Sequence, residues 1–383
     1  MVLFIRKRLI QFVTFPILLL LSGHAASRSV HRPPDPNMAE LRTRWTDDTR
    51  RYSLRSYDFE SSALFDIFDY DYCMANFLPQ GPINLRYEPQ KTVDGSVLGT
   101  ILSEFINDLK KTKQIRKEYD QIKILKKSNF NPKLTIGSLI VKFKQFPFVA
   151  KLFFETPRTF VRPAARDLEQ RCLYYMGGGI SRYLVGFTRL KNCAYIRERV
   201  KADPRWKDTV DMPRKWFWLP QGVRWFEVEG YNVNGTAEQH VTLPEVYVVV
   251  ADALEAERNL SPANDADKAF VFAFTQWLDQ GLDPNIANYM IEKETGKIVF
   301  IDTEHFPSNL GLRDKLDYHK DANQLIWGLP RSLCVQLAGK YMRDGFLRTK
   351  QERLDIRNGK TKSIMRPRDP NAATENMSVA GEN

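Results

Sequence analysis

The chain has 383 residues, of which 43% are hydrophobic and 27% charged, and it carries a formal net charge of +11. These proportions exclude a disordered polyelectrolyte and suit a folded chain with room for a large core. The length admits one two-lobed domain with extensions, and the basic balance suits an acidic partner such as a nucleotide, a phosphate group or a membrane surface.

At the start, Arg6, Lys7 and Arg8 precede an apolar run over 9–21, and Ser22-Gly-His-Ala-Ala-Ser27 follows it. Basic, apolar, then small residues is the layout of a secretory signal. The run is shorter than the ~20 residues that span a bilayer, so a cleaved signal is favoured and an uncleaved anchor comes second. Either way the chain is expected to be extracytoplasmic, secreted or membrane-anchored, with membrane association through residues 1–27. Residues 28–60 are polar and rich in Pro and Arg, and read as a linker. Residues 61–119 read as an amino-terminal helical extension, with helical character over 97–109. Asp66-Ile-Phe-Asp-Tyr-Asp-Tyr72 lacks the Gly and final Glu of an EF-hand loop and reads as a capping or solvated segment.

A first strand is predicted over 120–126, and two more within 138–155, joined near Phe146-Pro147. The last, Phe148-Val-Ala-Lys151-Leu-Phe-Phe, is apolar apart from Lys151. A lysine embedded in this way either serves a function or snorkels to the surface. The connection 127–137 has one glycine and no glycine-rich phosphate signature. A helix is predicted over 164–176, with Leu168, Cys172 and Tyr175 at helical spacing and Gly177-Gly-Gly179 as its stop. Glu169 on that helix is the leading partner for Lys151, with Asp167 and Glu155 as rivals. The tryptophans between 206 and 230 stand among basic residues. Core packing is favoured for them over nucleic-acid stacking, and nucleic acid is not an expected partner. A strand is predicted within 241–254 and a helix over 265–282.

Four cysteines (73, 172, 193, 334) form no C-x-x-C, and the five histidines show no metal spacing, so zinc has no support. In an exported chain the four could pair in three ways. No Gly-x-Ser-x-Gly elbow supports a hydrolase nucleophile. The tail, 351–383, is polar and reads as disordered.

The densest chemistry lies in Asp283-Pro-Asn-Ile-Ala-Asn288-Tyr-Met-Ile-Glu-Lys-Glu-Thr-Gly-Lys-Ile-Val-Phe-Ile-Asp302. Residues 288–291 and 298–301 are apolar runs around a polar turn bearing Thr-Gly, which predicts a β-hairpin. Antiparallel strands of similar length bring Asn288 and Asp302 together at its open end, with Asp283 on the loop just before.

Helix, Asp-x-x-x-x-Asn, then a hairpin ending in apolar-apolar-Asp resembles the catalytic core of the protein-kinase-like superfamily, which includes aminoglycoside phosphotransferases. Val149-Ala150-Lys151 resembles that family's Val-Ala-x-Lys strand, one residue shorter. The resemblance implies an α+β, two-lobed fold over 120–350, with a small, mainly β amino-terminal lobe, a mainly α carboxy-terminal lobe and a boundary near 250–256. It implies ATP and Mg²⁺ as cofactors and a hydroxyl acceptor on a protein or small molecule. Asp283 would be the catalytic carboxylate, Asn288 and Asp302 the metal ligands, and Lys151, steadied by Glu169, the cation on the phosphates. Three departures stand out: Gly281 replaces the catalytic-loop His, Asp302-Thr-Glu304 replaces Asp-Phe-Gly, and no Ala-Pro-Glu segment follows. They leave two alternatives to turnover open: a kinase-shaped binding protein (a pseudokinase) and a secreted interaction protein.

Overall fold

The structure, a computed structural model, describes residues 39–56, 65, 68–161, 179–231, 237–261, 263–278 and 286–303. The described chain begins with strands β1 (Ala39–Trp45) and β2 (Tyr52–Ser56), then helix α1 (Tyr70–Ala75) and the short pair β3 (Pro82–Asn84) and β4 (Thr92–Asp94). Helix α2 (Gly95–Thr112) leads to β5 (Ile122–Asn131), β6 (Ile136–Phe143) and β7 (Phe148–Phe154). After α3 (Pro157–Phe160) and the long α4 (Gly179–Ala202) come β8 (Val210–Asp211), β9 (Lys215–Trp218), β10 (Trp225–Tyr231), β11 (Ala237–Pro244), β12 (Val246–Asp252) and β13 (Ala256–Asn259). Helix α5 (Asp265–Leu278) and strands β14 (Tyr289–Glu292) and β15 (Ile298–Phe300) complete it.

The strands form sheets ordered β11-β10-β1-β2, β5-β6-β7-β12-β9, β13-β14-β15-β8 and β3-β4. This corrects the expected two-lobed kinase-like fold. The described residues are mostly β-sheet, with five helices, and no helical carboxy-terminal lobe is seen among them. After residue 256 the described chain supplies one helix, α5, and three strands of a four-stranded sheet. The physical reason is that short apolar runs around polar turns satisfy their backbone groups by pairing, and a local motif does not dictate what surrounds it.

The five-stranded sheet is the frame. On one face Leu139, Val141, Ala150, Leu152, Val248 and Val250 meet α2. Asp94 caps α2 by accepting from the Ser96 amide at 2.8 Å. Leu98, Leu102, Phe105 and Leu109 give α2 its buried stripe. Each such side chain contributes about 1.5–3 kcal/mol on burial. On the other face Phe153, Tyr247, Val249 and Phe217 meet Tyr183, Leu184, Phe187 and Leu190 of α4, with Phe226 and Val228 of the β1–β10 sheet behind. Helix α4 approaches closely at Gly186, where an added Cβ would lie 2.7 Å from Phe153 Cε2 and nearer still to the Tyr247 hydroxyl. The carboxy-terminal half of α4 joins a third cluster with Val271, Phe274 and Leu278 of α5 and Tyr289 and Phe300 of the hairpin.

The predicted hairpin is present as β14 and β15, with Tyr289 opposite Phe300 and Gly296 at φ 66° in its turn. Glu292, fully buried, anchors it. It accepts from Arg86 Nε at 2.7 Å, the Tyr87 hydroxyl at 2.7 Å and the Thr295 hydroxyl at 2.6 Å. Burial pushes its pKa up, but the hydrogen bonds from Arg86, Thr295 and Tyr87 outweigh this and hold it below the ordinary glutamate value. The strand predicted within 241–254 is interrupted at Glu245 and serves two sheets, as β11 and β12. Asp69 caps α1 by accepting from the Tyr72 amide at 2.9 Å. Strands β1 and β2 lie within the span read as linker, where β1 pairs with β10. Trp206 packs against Phe270, Phe274 and Trp277, and Trp218 is buried, as core packing requires. The predicted helix over 164–176 lies outside the described residues.

Candidate functional site at the hairpin mouth

The ladder of the hairpin extends one step beyond its strands, since the Ile301 amide donates to the Asn288 carbonyl at 2.9 Å. Asn288 ends a 3-10 turn, Ile286–Asn288, and Asp302 follows Ile301 directly. At the open end the backbone partner of Asn288 is therefore Ile301, with Asp302 the next residue along.

What surrounds Asp302 was not anticipated. Two guanidinium nitrogens of Arg189, on α4, lie 2.9 and 3.0 Å from its two carboxylate oxygens. Thr303 donates its hydroxyl to the Arg189 carbonyl at 2.7 Å, and Asn192 donates from Nδ2 to the Thr303 carbonyl at 3.0 Å. Lys215, at the start of β9, donates to the Thr303 hydroxyl at 2.8 Å and to the Ile301 carbonyl at 3.1 Å. The segment 301–303 is thus tied to both α4 and the five-stranded sheet. Burial lowers the pKa of Lys215. Arg189 and Asn192 are buried, whereas Asp302 keeps 21% side-chain exposure.

Lys151 can be placed by register. It pairs with Val249, and Val249 pairs with Phe217. Paired residues share a face, as do residues two apart on one strand. Lys151 and Lys215 therefore stand on the same face of the sheet, two strands across and two residues along, about 12 Å apart at the usual strand spacing and rise. The Lys151 ammonium lies 5.2 Å from the Phe153 ring centroid. Glu155, one rival for its partner, is buried. Its carboxylate accepts from the Thr156 amide at 3.1 Å and from the Thr159 hydroxyl, at the start of α3. Asp283, Glu169 and Asp167 lie outside the described residues.

The sequence pattern singles out Asn288, Asp302 and Lys151 but not Arg189, Asn192, Lys215 and Thr303, which the fold packs around Asp302. The available signal was Lys215 beside the strand-like Trp216-Phe-Trp218, and Arg189 inside an apolar helical run. Among the described residues no group of three or more His, Cys, Asp or Glu could hold a metal ion. Mg²⁺ needs less from a protein, because one or two carboxylates suffice when phosphates and water supply the rest. Of such a set the described residues offer the Asp302 carboxylate, partly exposed and engaged on both oxygens by Arg189, next to Ile301, the ladder partner of Asn288. Cys73 and Cys193 are buried free thiols. No described helix is long and apolar enough to cross a membrane. No protein-family model and no curated protein matches the chain.

Proposed function

We propose that this protein is an exported or membrane-tethered phosphotransferase that uses MgATP on a hydroxyl acceptor. The observation that carries the reading is the shared sheet face of Lys151 and Lys215, with Lys215 bonded to the segment that leads from the Asn288–Asp302 hairpin mouth. Polyphosphate transfer asks for cations beside an oxygen-donor pair. Lys151 would neutralise phosphate charge, with Glu169 as its steadying carboxylate. Asn288 and Asp302 would hold Mg²⁺, which when bound screens the phosphate oxygens. Asp283 would orient the acceptor hydroxyl and take its proton. Rate enhancement would come from positioning and fixed charge.

A second reading, nucleotide binding without turnover, is favoured by one contact: Arg189 engages both oxygens of Asp302. Thermal shift with ATP and Mg²⁺, followed by assay of γ-phosphate release, separates the two. The phosphotransferase reading expects a shift that Lys151→Ala and Asp302→Asn abolish, and turnover that Asp283→Ala abolishes while binding persists. Binding with no turnover, indifferent to Asp283→Ala, selects the second reading. No nucleotide-induced shift rejects both.

A further inference from the structure

The positive charge of the chain is concentrated. Between residues 110 and 144 stand eleven Lys or Arg and two acids, a local excess of nine charges against +11 for the whole chain. This stretch covers the end of α2 and the β5–β6 hairpin, with β5 at the sheet edge. Lys113, Lys123, Lys126, Lys127, Lys133 and Lys142 are all exposed, and none has an acidic partner among the described residues. Lysines on an edge strand block unwanted pairing, which accounts for some of them. It does not account for their companions. Leu125 is 49% exposed on β5, and Leu134 is 50% exposed in the hairpin turn.

That turn is built to hold its shape. The Asn131 side-chain oxygen accepts from the Lys133 and Leu134 amides at 3.0 and 3.3 Å. Thr135 sits at φ 52°, a left-handed conformation costly for a β-branched residue. The Lys113 ammonium donates to the Thr135 hydroxyl at 3.0 Å, which ties the end of α2 to the turn. The result is a fixed tip that presents a leucine beside lysines from two elements.

We infer that this hairpin edge is a docking surface for an anionic phospholipid bilayer. Lysines supply attraction to headgroups, and isolated exposed leucines supply shallow apolar insertion. Nucleic acid fits less well. Base stacking calls for exposed aromatic rings, whereas Tyr119 and Phe130 in this stretch are half-buried and Phe143 is fully buried. The surface is separate from the site around Asp302, and its test uses no nucleotide.

The test is flotation of the full chain with phosphatidylcholine vesicles, with and without phosphatidylserine, read as the ratio of the two affinities. Residues 1–27, with Arg6, Lys7 and Arg8, are common to wild type and variants, so each variant's ratio is read against that of the wild type. A single-stranded RNA is run as a parallel probe. The wild type should prefer anionic vesicles, and added salt should weaken the preference. Each lysine near a charged membrane is worth roughly fivefold in affinity, so Lys123→Gln, Lys126→Gln, Lys127→Gln and Lys133→Gln together should cut the preference by at least about a hundredfold. Leu125→Ser with Leu134→Ser, also at exposed positions, should weaken binding to the anionic vesicles with unchanged near-UV circular dichroism, and keeps the test alive if the lysine variant misfolds. Absence of an anionic preference, or a preference that neither variant reduces, overturns the proposal. RNA binding that depends on the lysines, with the leucine pair silent on vesicles, overturns it in favour of a nucleic-acid surface.

Discussion

Arg189 and Asp302, 113 positions apart, meet with guanidinium nitrogens 2.9 and 3.0 Å from the carboxylate oxygens. Paired forks of this kind combine charge with fixed geometry. Asp302→Asn leaves a mostly buried guanidinium without its counter-charge, and should lower unfolding free energy by about 1–3 kcal/mol. Arg189→Lys should cost less, because charge survives while the fork is lost. Urea unfolding at constant m-value measures both. An unmoved midpoint in Asp302→Asn would show that the pair adds nothing to stability.

Glu292 predicts an acid transition. Its folded pKa lies below the ordinary glutamate value of 4.5. A depressed folded pKa means stability that is fully present above the unfolded pKa and is lost as pH falls through the folded one. Stability should therefore drop as pH falls below about 4.5. Glu292→Gln should lose about 2–4 kcal/mol at neutral pH, by leaving Arg86 with one acidic partner fewer in a buried site. It should also flatten the acid limb of a Tm-against-pH curve. An acid limb identical to wild type would contradict this.

Gly186 sets the distance between α4 and the sheet. A methyl group there meets Phe153 and the Tyr247 hydroxyl, both in a packed aromatic layer. Gly186→Ala should cost about 1–3 kcal/mol by overpacking, despite the better helix propensity of alanine. Thermal unfolding checks the sign, and a higher Tm would mean that α4 can shift outward freely.

Cys73 should be inert in the folded protein. It is 2% exposed, and burial pushes its thiol pKa up to about 12. Thiolate is the reacting form. Alkylation at neutral pH followed by peptide mass spectrometry should leave Cys73 unmodified until denaturant is added. Rapid native labelling of that peptide would refute the burial.

Local patterns were legible and non-local ones were not. The hairpin at 289–300 follows from apolar runs around Thr295-Gly296, and α2 from its stripe Leu98 to Leu109. Strands β5, β6 and β7 follow from their short apolar runs. Helix α4 escaped notice because Arg189 and Asn192 are buried among Phe187, Leu190 and Cys193, which erases the clean polar face that marks a surface helix. The partners of Asp302 were hidden with it. The sheet β11-β10-β1-β2 could not be read from neighbours in sequence, since Glu40 faces Tyr231. The helical lobe was expected from a motif some twenty residues long, too little to specify the surrounding layers.

The pairing of β1 with β10 also constrains how the chain is made. Arg44 finds Glu227 183 positions later. At roughly 5–20 residues per second, the ribosome needs about 10–40 s to deliver that partner. Through this interval the nascent β1 has only β2 beside it, so one row of its amides and carbonyls awaits a mate. Early exposure of such a row invites capture by a chaperone or by a neighbouring nascent chain, which makes translation speed, as much as thermodynamic stability, a determinant of yield.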